Sequence, residues 1–142
     1  VWSAALAVGE HVGASGPQVL AAVAVGYETT IRIGLSMQPG HFRRGFQSTG
    51  TCDVFGTAAA AGRLLFRGED AERRIQDAIG LAGSYPSGVA QFYYSGSSGK
   101  RIQAAHAAQS GVAAAMLTEQ GFGGPADIIE GSGFIEGLAV FR

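Results

Sequence analysis

The chain has 142 residues, of which 46% are hydrophobic and only 15% are charged, and its formal net charge is −1. This length suits one domain, or part of one, with a substantial core. The weak net charge argues against a nucleic-acid partner attracted over long range. No run approaches the ~18 consecutive apolar residues of a transmembrane helix, and no signal peptide is visible. We therefore expect no nucleic-acid partner and no membrane partner.

Cys52 is the single cysteine, so no internal disulfide can form, which favours a reducing, cytoplasmic location. The thiol is either a nucleophile near a helix start or a small buried apolar residue. The three histidines and one cysteine form no metal motif, and we expect neither a metal nor a cofactor. Because the first residues already resemble the middle of a helix, we expect the chain to be a fragment of a longer protein.

Apolar residues at helical spacing predict five helices in chain order. Ser15 and Asp70 are suitable N-caps for the second and fourth, and Gly121 is a suitable C-cap for the fifth. No stretch alternates as a strand does, so the sequence predicts an all-α fold, a bundle in which Ala- and Gly-rich helices pack closely. The predicted helices are about Trp2–His11, Pro17–Met37, Thr51–Phe66, 71–84 and Lys100–Gln120, with a short turn of helix over Pro125–Glu130.

The stretch "FRRGFQSTGTCDVFGTAAAAG" places Arg43 and Arg44 before a loop of hydroxylated residues that leads into the third helix. A helix start exposes backbone N–H groups and the positive end of the helix dipole. Ser48 and Thr49 add hydroxyl donors, so the stretch is a candidate site for a carboxylate or phosphate. The alternative is that the hydroxyls only cap the helix while both arginines face solvent. The Gly-Lys-Ser/Thr ending of a Walker loop is missing.

A second Gly- and Ser-rich loop leads into the helix that begins near Lys100. A lysine at a helix N-terminus opposes the helix dipole, and such local conflicts often mark functional sites. Lys100 is thus a candidate carboxylate clamp or proton donor, or else an exposed solubilising lysine. Gln103 and His106 follow at intervals of about one turn, and His106, among alanines, is more typical of a core or interface histidine.

Four motifs in order resemble the MmgE/PrpD family, which includes 2-methylcitrate dehydratase, cis-aconitate decarboxylase and related epimerases. They are "RGFQSTGTCDVFGTAAAAGRLL", "IGLAGSYPSGV", "GKRIQAAHAAQSG" and "MLTEQGFGGPADIIEG", and the resemblance runs from about residue 15 to about residue 135. It implies a larger homodimeric enzyme with a helical domain and a smaller α+β lid. It also implies small di- or tricarboxylic acid substrates, no metal, and proton abstraction beside a carboxylate.

The resemblance assigns Lys100 as the catalytic and substrate-binding residue, and Gln47, Ser48, Thr49 and Gln103 as residues that line the substrate pocket. The family usually has histidine at the positions of Gln47 and Gln103. Glutamine keeps a hydrogen bond in similar space but transfers no proton near neutral pH.

Two functions therefore remain open. One is part of a lyase or isomerase that acts on a small polycarboxylate by dehydration, decarboxylation or epimerisation. The alternative is a non-catalytic helical binding or dimerisation module that has lost its acid/base histidines.

Overall fold

The computed structural model describes residues 1–131, and this part of the chain forms seven helices and no β-strand. The prediction of an all-α fold is confirmed. The helices are α1 (Trp2–His11), α2 (Gly16–Met37), α3 (Gly40–Arg43), α4 (Ser48–Leu65), α5 (Ala71–Ala82), α6 (Phe92–Ser95) and α7 (Gly99–Glu119).

Helix α4 is the centre of the bundle. Thirteen of its 18 residues are buried, and it packs against α1, α2, α5 and α7. Its segment "TAAAAG" carries small side chains all round, so it can be enclosed on every side without a large apolar stripe. The bulkiest buried side chains in this core include Phe55 and Phe66.

Glycines let the neighbouring helices approach α4 closely. Where α2 crosses α4, a Cβ on Gly56 would collide with the Thr30 hydroxyl and with the carbonyl oxygen of Gly26. Where α7 crosses α4, the Thr57 Oγ1 donates to the carbonyl oxygen of Ala107 at 2.8 Å. The predicted close packing of small-residue helices is therefore present at both crossings.

Helix α2 begins as predicted, with Ser15 as the N-cap of a capping box completed by Gln18. By length and mean hydropathy α2 is long and apolar enough to cross a membrane, a property that core helices of water-soluble proteins share. It carries an exposed ion pair between Glu28 and Arg32.

Several predicted boundaries were wrong. The α4 helix begins at Ser48, three residues before the predicted start, because Gln47 rather than a hydroxylated residue is its N-cap. Short helices α3 and α6 lie in stretches predicted to be irregular, and residues 126–130 form turns instead of helix. Asp70 makes no side-chain capping bond; its carboxylate instead lies 3.4 Å from the guanidinium of Arg73.

Candidate functional site

The first predicted site residues form the N-terminal turn of α4. The Gln47 side chain is buried and accepts a hydrogen bond from the Gly50 N–H at 3.2 Å, which satisfies one of the free donors of the helix start. Ser48 and Thr49 are half-buried, and the Ser48 hydroxyl accepts a hydrogen bond from the Gln38 amide at 3.2 Å. Gln47, the residue expected to line a pocket, therefore holds the helix start in place.

Arg43 and Arg44 end the short helix that precedes this turn, and both are exposed. Their exposure agrees with the alternative in which the arginines face solvent.

His41 is a buried residue that the sequence did not single out. Its ring is fully buried, its Nε2 lies 2.8 Å from the Thr51 hydroxyl, and it stacks on Phe46 with centroids 5.4 Å apart. Burial lowers the pKa of the His41 imidazole, so the neutral ring is favoured. The partner is a hydroxyl rather than a metal ligand, so a search for ligand spacing could not find this pair.

The connection between α5 and α6 packs along the start of α4. Among the described residues, three backbone hydrogen bonds and one isolated bridge join the Ser87–Ala90 segment to residues 45–50. These are Gln47 N–H to Gly88 O at 3.1 Å, Ser87 N–H to Gly50 O at 3.2 Å and Ala90 N–H to Gly45 O at 2.7 Å, with the bridge between Phe46 and Val89. Because these bonds involve main chain, the segment and the α4 start form one unit.

Gln103 contacts the other side of the same segment. Its Nε2 donates to the carbonyl oxygen of Val89 at 2.9 Å, while its Oε1 is buried with no protein partner. A side chain on Gly88 would crowd this amide, since a Cβ there would lie 2.7 Å from the Gln103 Cδ, and Gly88 has a φ of +111°. The structure thus brings Gln47 and Gln103 to one short segment, although 56 positions separate them.

Lys100 lies one turn before Gln103, at the mouth of an open cleft of about 500 Å³. Its Nζ is 5.9 Å from the centroid of the Tyr93 ring, within the range of a cation–π contact. The lining of the cleft includes two cationic side chains and two serine hydroxyls beside the start of α7, and such donors suit an anion. The lining residues are Phe92, Tyr93, Gly96, Ser97, Ser98, Lys100 and Arg101.

Within residues 1–131, the lining of this cleft includes none of Gln47–Thr51. The structure therefore joins the α4 start to α7 through the Ser87–Ala90 segment, while Lys100 lines a cleft formed by α6, α7 and the loop between them. A cavity shared by Lys100 and the α4 start stays a prediction.

The remaining candidates offer little chemistry. Cys52 is buried, and burial raises the pKa of its thiol to about 11, so its thiolate is scarce at neutral pH. His106 is half-buried with the Ser110 hydroxyl 3.4 Å from its Nε2. Burial also raises the pKa of the half-buried Asp53 carboxyl. Over residues 1–131, no three His, Cys, Asp or Glu side chains are grouped as a metal site would require.

Comparison with known proteins identifies the family of this chain. No curated protein and no solved structure matches the chain significantly. The family model described as the MmgE/PrpD N-terminal domain matches residues 1–139, nearly the whole chain. The chain therefore belongs to the MmgE/PrpD family, as sequence from its N-terminal domain.

Proposed function

We propose that this chain is part of an MmgE/PrpD lyase or isomerase that acts on a small di- or tricarboxylic acid. The reaction would be dehydration, decarboxylation or epimerisation, begun by removal of a proton beside a carboxylate. The observation that supports this proposal is the cleft beside Lys100, where cationic side chains, serine hydroxyls and a helix start face one open space. Carboxylates favour such donors, since charge-assisted hydrogen bonds are about twice as strong as neutral ones.

In this proposal Lys100 binds a substrate carboxylate and can donate a proton. Gln47, Ser48, Thr49 and Gln103 shape the wall on the side of the α4 start. The substrate is a small polycarboxylate, and the protein is a cytoplasmic homodimer without a nucleic-acid or membrane partner.

An exposed apolar row on α2 supports self-association. Leu20, Tyr27, Ile31 and Leu35 recur at intervals of seven, four and four residues, which places them close to one face of the helix, and Leu35 is 70% exposed. A second copy of the protein would cover such a row.

A second function is favoured by the hydrogen bonds of the two glutamines. Gln47 caps α4 and Gln103 binds a main-chain carbonyl, so both side chains have structural roles and neither can transfer a proton. This favours the alternative of a non-catalytic binding or dimerisation module built on the same fold.

Substitution of Lys100 tests the polycarboxylate proposal in the full-length protein. We expect Lys100→Met to weaken binding of citrate, as a model tricarboxylate, by about 1.5–3 kcal/mol, the scale of a hydrogen bond to a charged group. Isothermal titration calorimetry measures the change. Arg63→Met is the matched control, because Arg63 is also exposed but lies at the far end of α4, about 22 Å from Ser48 along the helix axis.

An unchanged dissociation constant in Lys100→Met would leave Lys100 as a solubilising surface residue. Citrate binding together with no turnover of 2-methylcitrate or cis-aconitate would favour the non-catalytic module.

A further inference from the structure

Gln103 links two parts of the candidate site, the Lys100 end of α7 and the start of α4. On one side it belongs to the same first turns of α7 as Lys100. On the other, its Nε2 donates to Val89 O, within the Ser87–Ala90 segment that is hydrogen-bonded to the α4 start.

The orientation of the Gln103 amide is fixed by its surroundings. The opposite flip would point Oε1 at the Val89 carbonyl and place two acceptors against each other. With Nε2 on Val89, the Oε1 is covered, and the amide lies against Gly88, where a side chain would collide with it. The amide is therefore occupied by the segment rather than directed at open space.

We propose that Gln103 is a positioning residue that holds the Ser87–Ala90 segment, and through it the α4 start, at a fixed distance from Lys100. The proposal rests on the function proposed above, because it assigns Lys100 and the α4 start to one ligand. Gln103 would then shape the wall of the site through the main chain that it holds, and it would not itself touch the ligand.

The chemistry of the hydrogen bond gives a specific test. Gln103→Glu keeps the shape of the side chain but removes the donor, so at neutral pH a carboxylate faces the Val89 carbonyl. Below the usual glutamate pKa of about 4.3 the carboxyl is protonated and can donate again. Gln103→Leu removes the donor at every pH. If the Gln103 side chain only filled space, the protection of the segment would depend on pH in the same way in both variants.

Hydrogen exchange of the full-length protein, followed by mass spectrometry of peptides that cover residues 45–50 and 87–90, measures the link. We expect the protection factors of both peptides to fall about fivefold to tenfold in Gln103→Leu at about pH 4 and about pH 7. In Gln103→Glu they fall at about pH 7 and recover at about pH 4, relative to the wild-type protein at the same pH. Citrate affinity, measured at about pH 7, falls in both variants.

Unchanged protection in both variants would overturn the proposal. Reduced protection with unchanged citrate affinity would also overturn it, because the link would then be purely structural. If the wild-type protein fails to bind citrate, the proposed function fails, and so does the effect of Gln103 on ligand binding. The exchange data would still show whether Gln103 holds the segment, so the two failures are distinguishable.

Discussion

At the scale of single residues, the structure gives roles to side chains that composition alone leaves undefined. His41 is the clearest case, because a fully buried imidazole is joined to Thr51 at the start of the central helix. Its neutral state is favoured by burial, and this links the titration of one ring to the stability of the whole bundle.

The stability of the protein should therefore depend on pH through His41. Its pKa in the folded protein is below the ordinary value of 6.5, so below that pH the unfolded chain takes up the proton first. The contribution is fully present above the unfolded pKa, and it is lost as the pH falls towards the folded pKa, by at most about 1.4 kcal/mol per pH unit. Urea unfolding at about pH 7.5 and about pH 5.5 measures this loss.

His41→Gln is the control for this prediction, because the glutamine amide can still donate to the Thr51 hydroxyl but does not titrate. Other groups titrate in both proteins, so the difference between their pH profiles isolates His41. Identical profiles would show that the His41 ring does not contribute to the pH dependence of stability.

At the scale of helices, close crossings depend on residues that have no room for a side chain. A Cβ on Gly111 would overlap the Thr57 side chain and lie 2.7 Å from the backbone nitrogen of Ala58. A Cβ on Gly34, in α2, would meet nothing within 4 Å. A Gly→Ala substitution therefore creates a collision at Gly111 in α7 but none at Gly34 in α2.

We expect Gly111→Ala to lower the free energy of unfolding by about 1–3 kcal/mol, because α7 must move away from α4. Gly34→Ala should raise it by about 0.5–1 kcal/mol, since alanine loses less backbone entropy in a helix interior. Urea titration of both variants measures the two changes. Equal stability of Gly111→Ala and the wild-type protein would mean that the α4–α7 crossing is looser than described.

Sequence periodicity predicted the long helices because their apolar and small residues recur with the helical repeat. Periodicity could not predict α3 or α6, since four residues contain about one turn. The start of α4 was misplaced because hydroxylated residues are the usual caps, whereas here Gln47 accepts the Gly50 N–H.

Sequence reasoning named candidate site residues but not the contacts that connect them. The resemblance pointed to Gln47 and Gln103, yet their common contact with the Ser87–Ala90 segment depends on main-chain bonds that no side-chain pattern encodes. The pairing of His41 with Thr51 was missed for a similar reason, because no characteristic sequence spacing predicts a hydrogen bond between a histidine and a buried hydroxyl.

At the scale of the whole molecule, the candidate site residues include few groups able to transfer protons. Lys100 is exposed, Cys52 is held as a thiol, and the two residues in place of the expected histidines are amides. The resemblance implies a larger enzyme that also has an α+β lid.

We therefore expect the isolated 142-residue chain to show no turnover of 2-methylcitrate or cis-aconitate above that of its Lys100→Ala variant. Absorbance of the unsaturated product or substrate, followed over hours, measures the rate. Turnover that disappears in Lys100→Ala would refute the prediction and show that this chain holds complete catalytic machinery.

The enclosure of α4 also limits how this sequence can diverge. A helix at the periphery can exchange its outward residues freely, but α4 has few outward positions, since 13 of its 18 residues are buried. Its run of alanines therefore restricts heritable variation almost to exchanges among Gly, Ala and Ser, whichever substrate the protein uses. Under the proposed function, changes of specificity would arise at the start of α4, in the Ser87–Ala90 segment and around Lys100, while the middle of the helix stays almost constant.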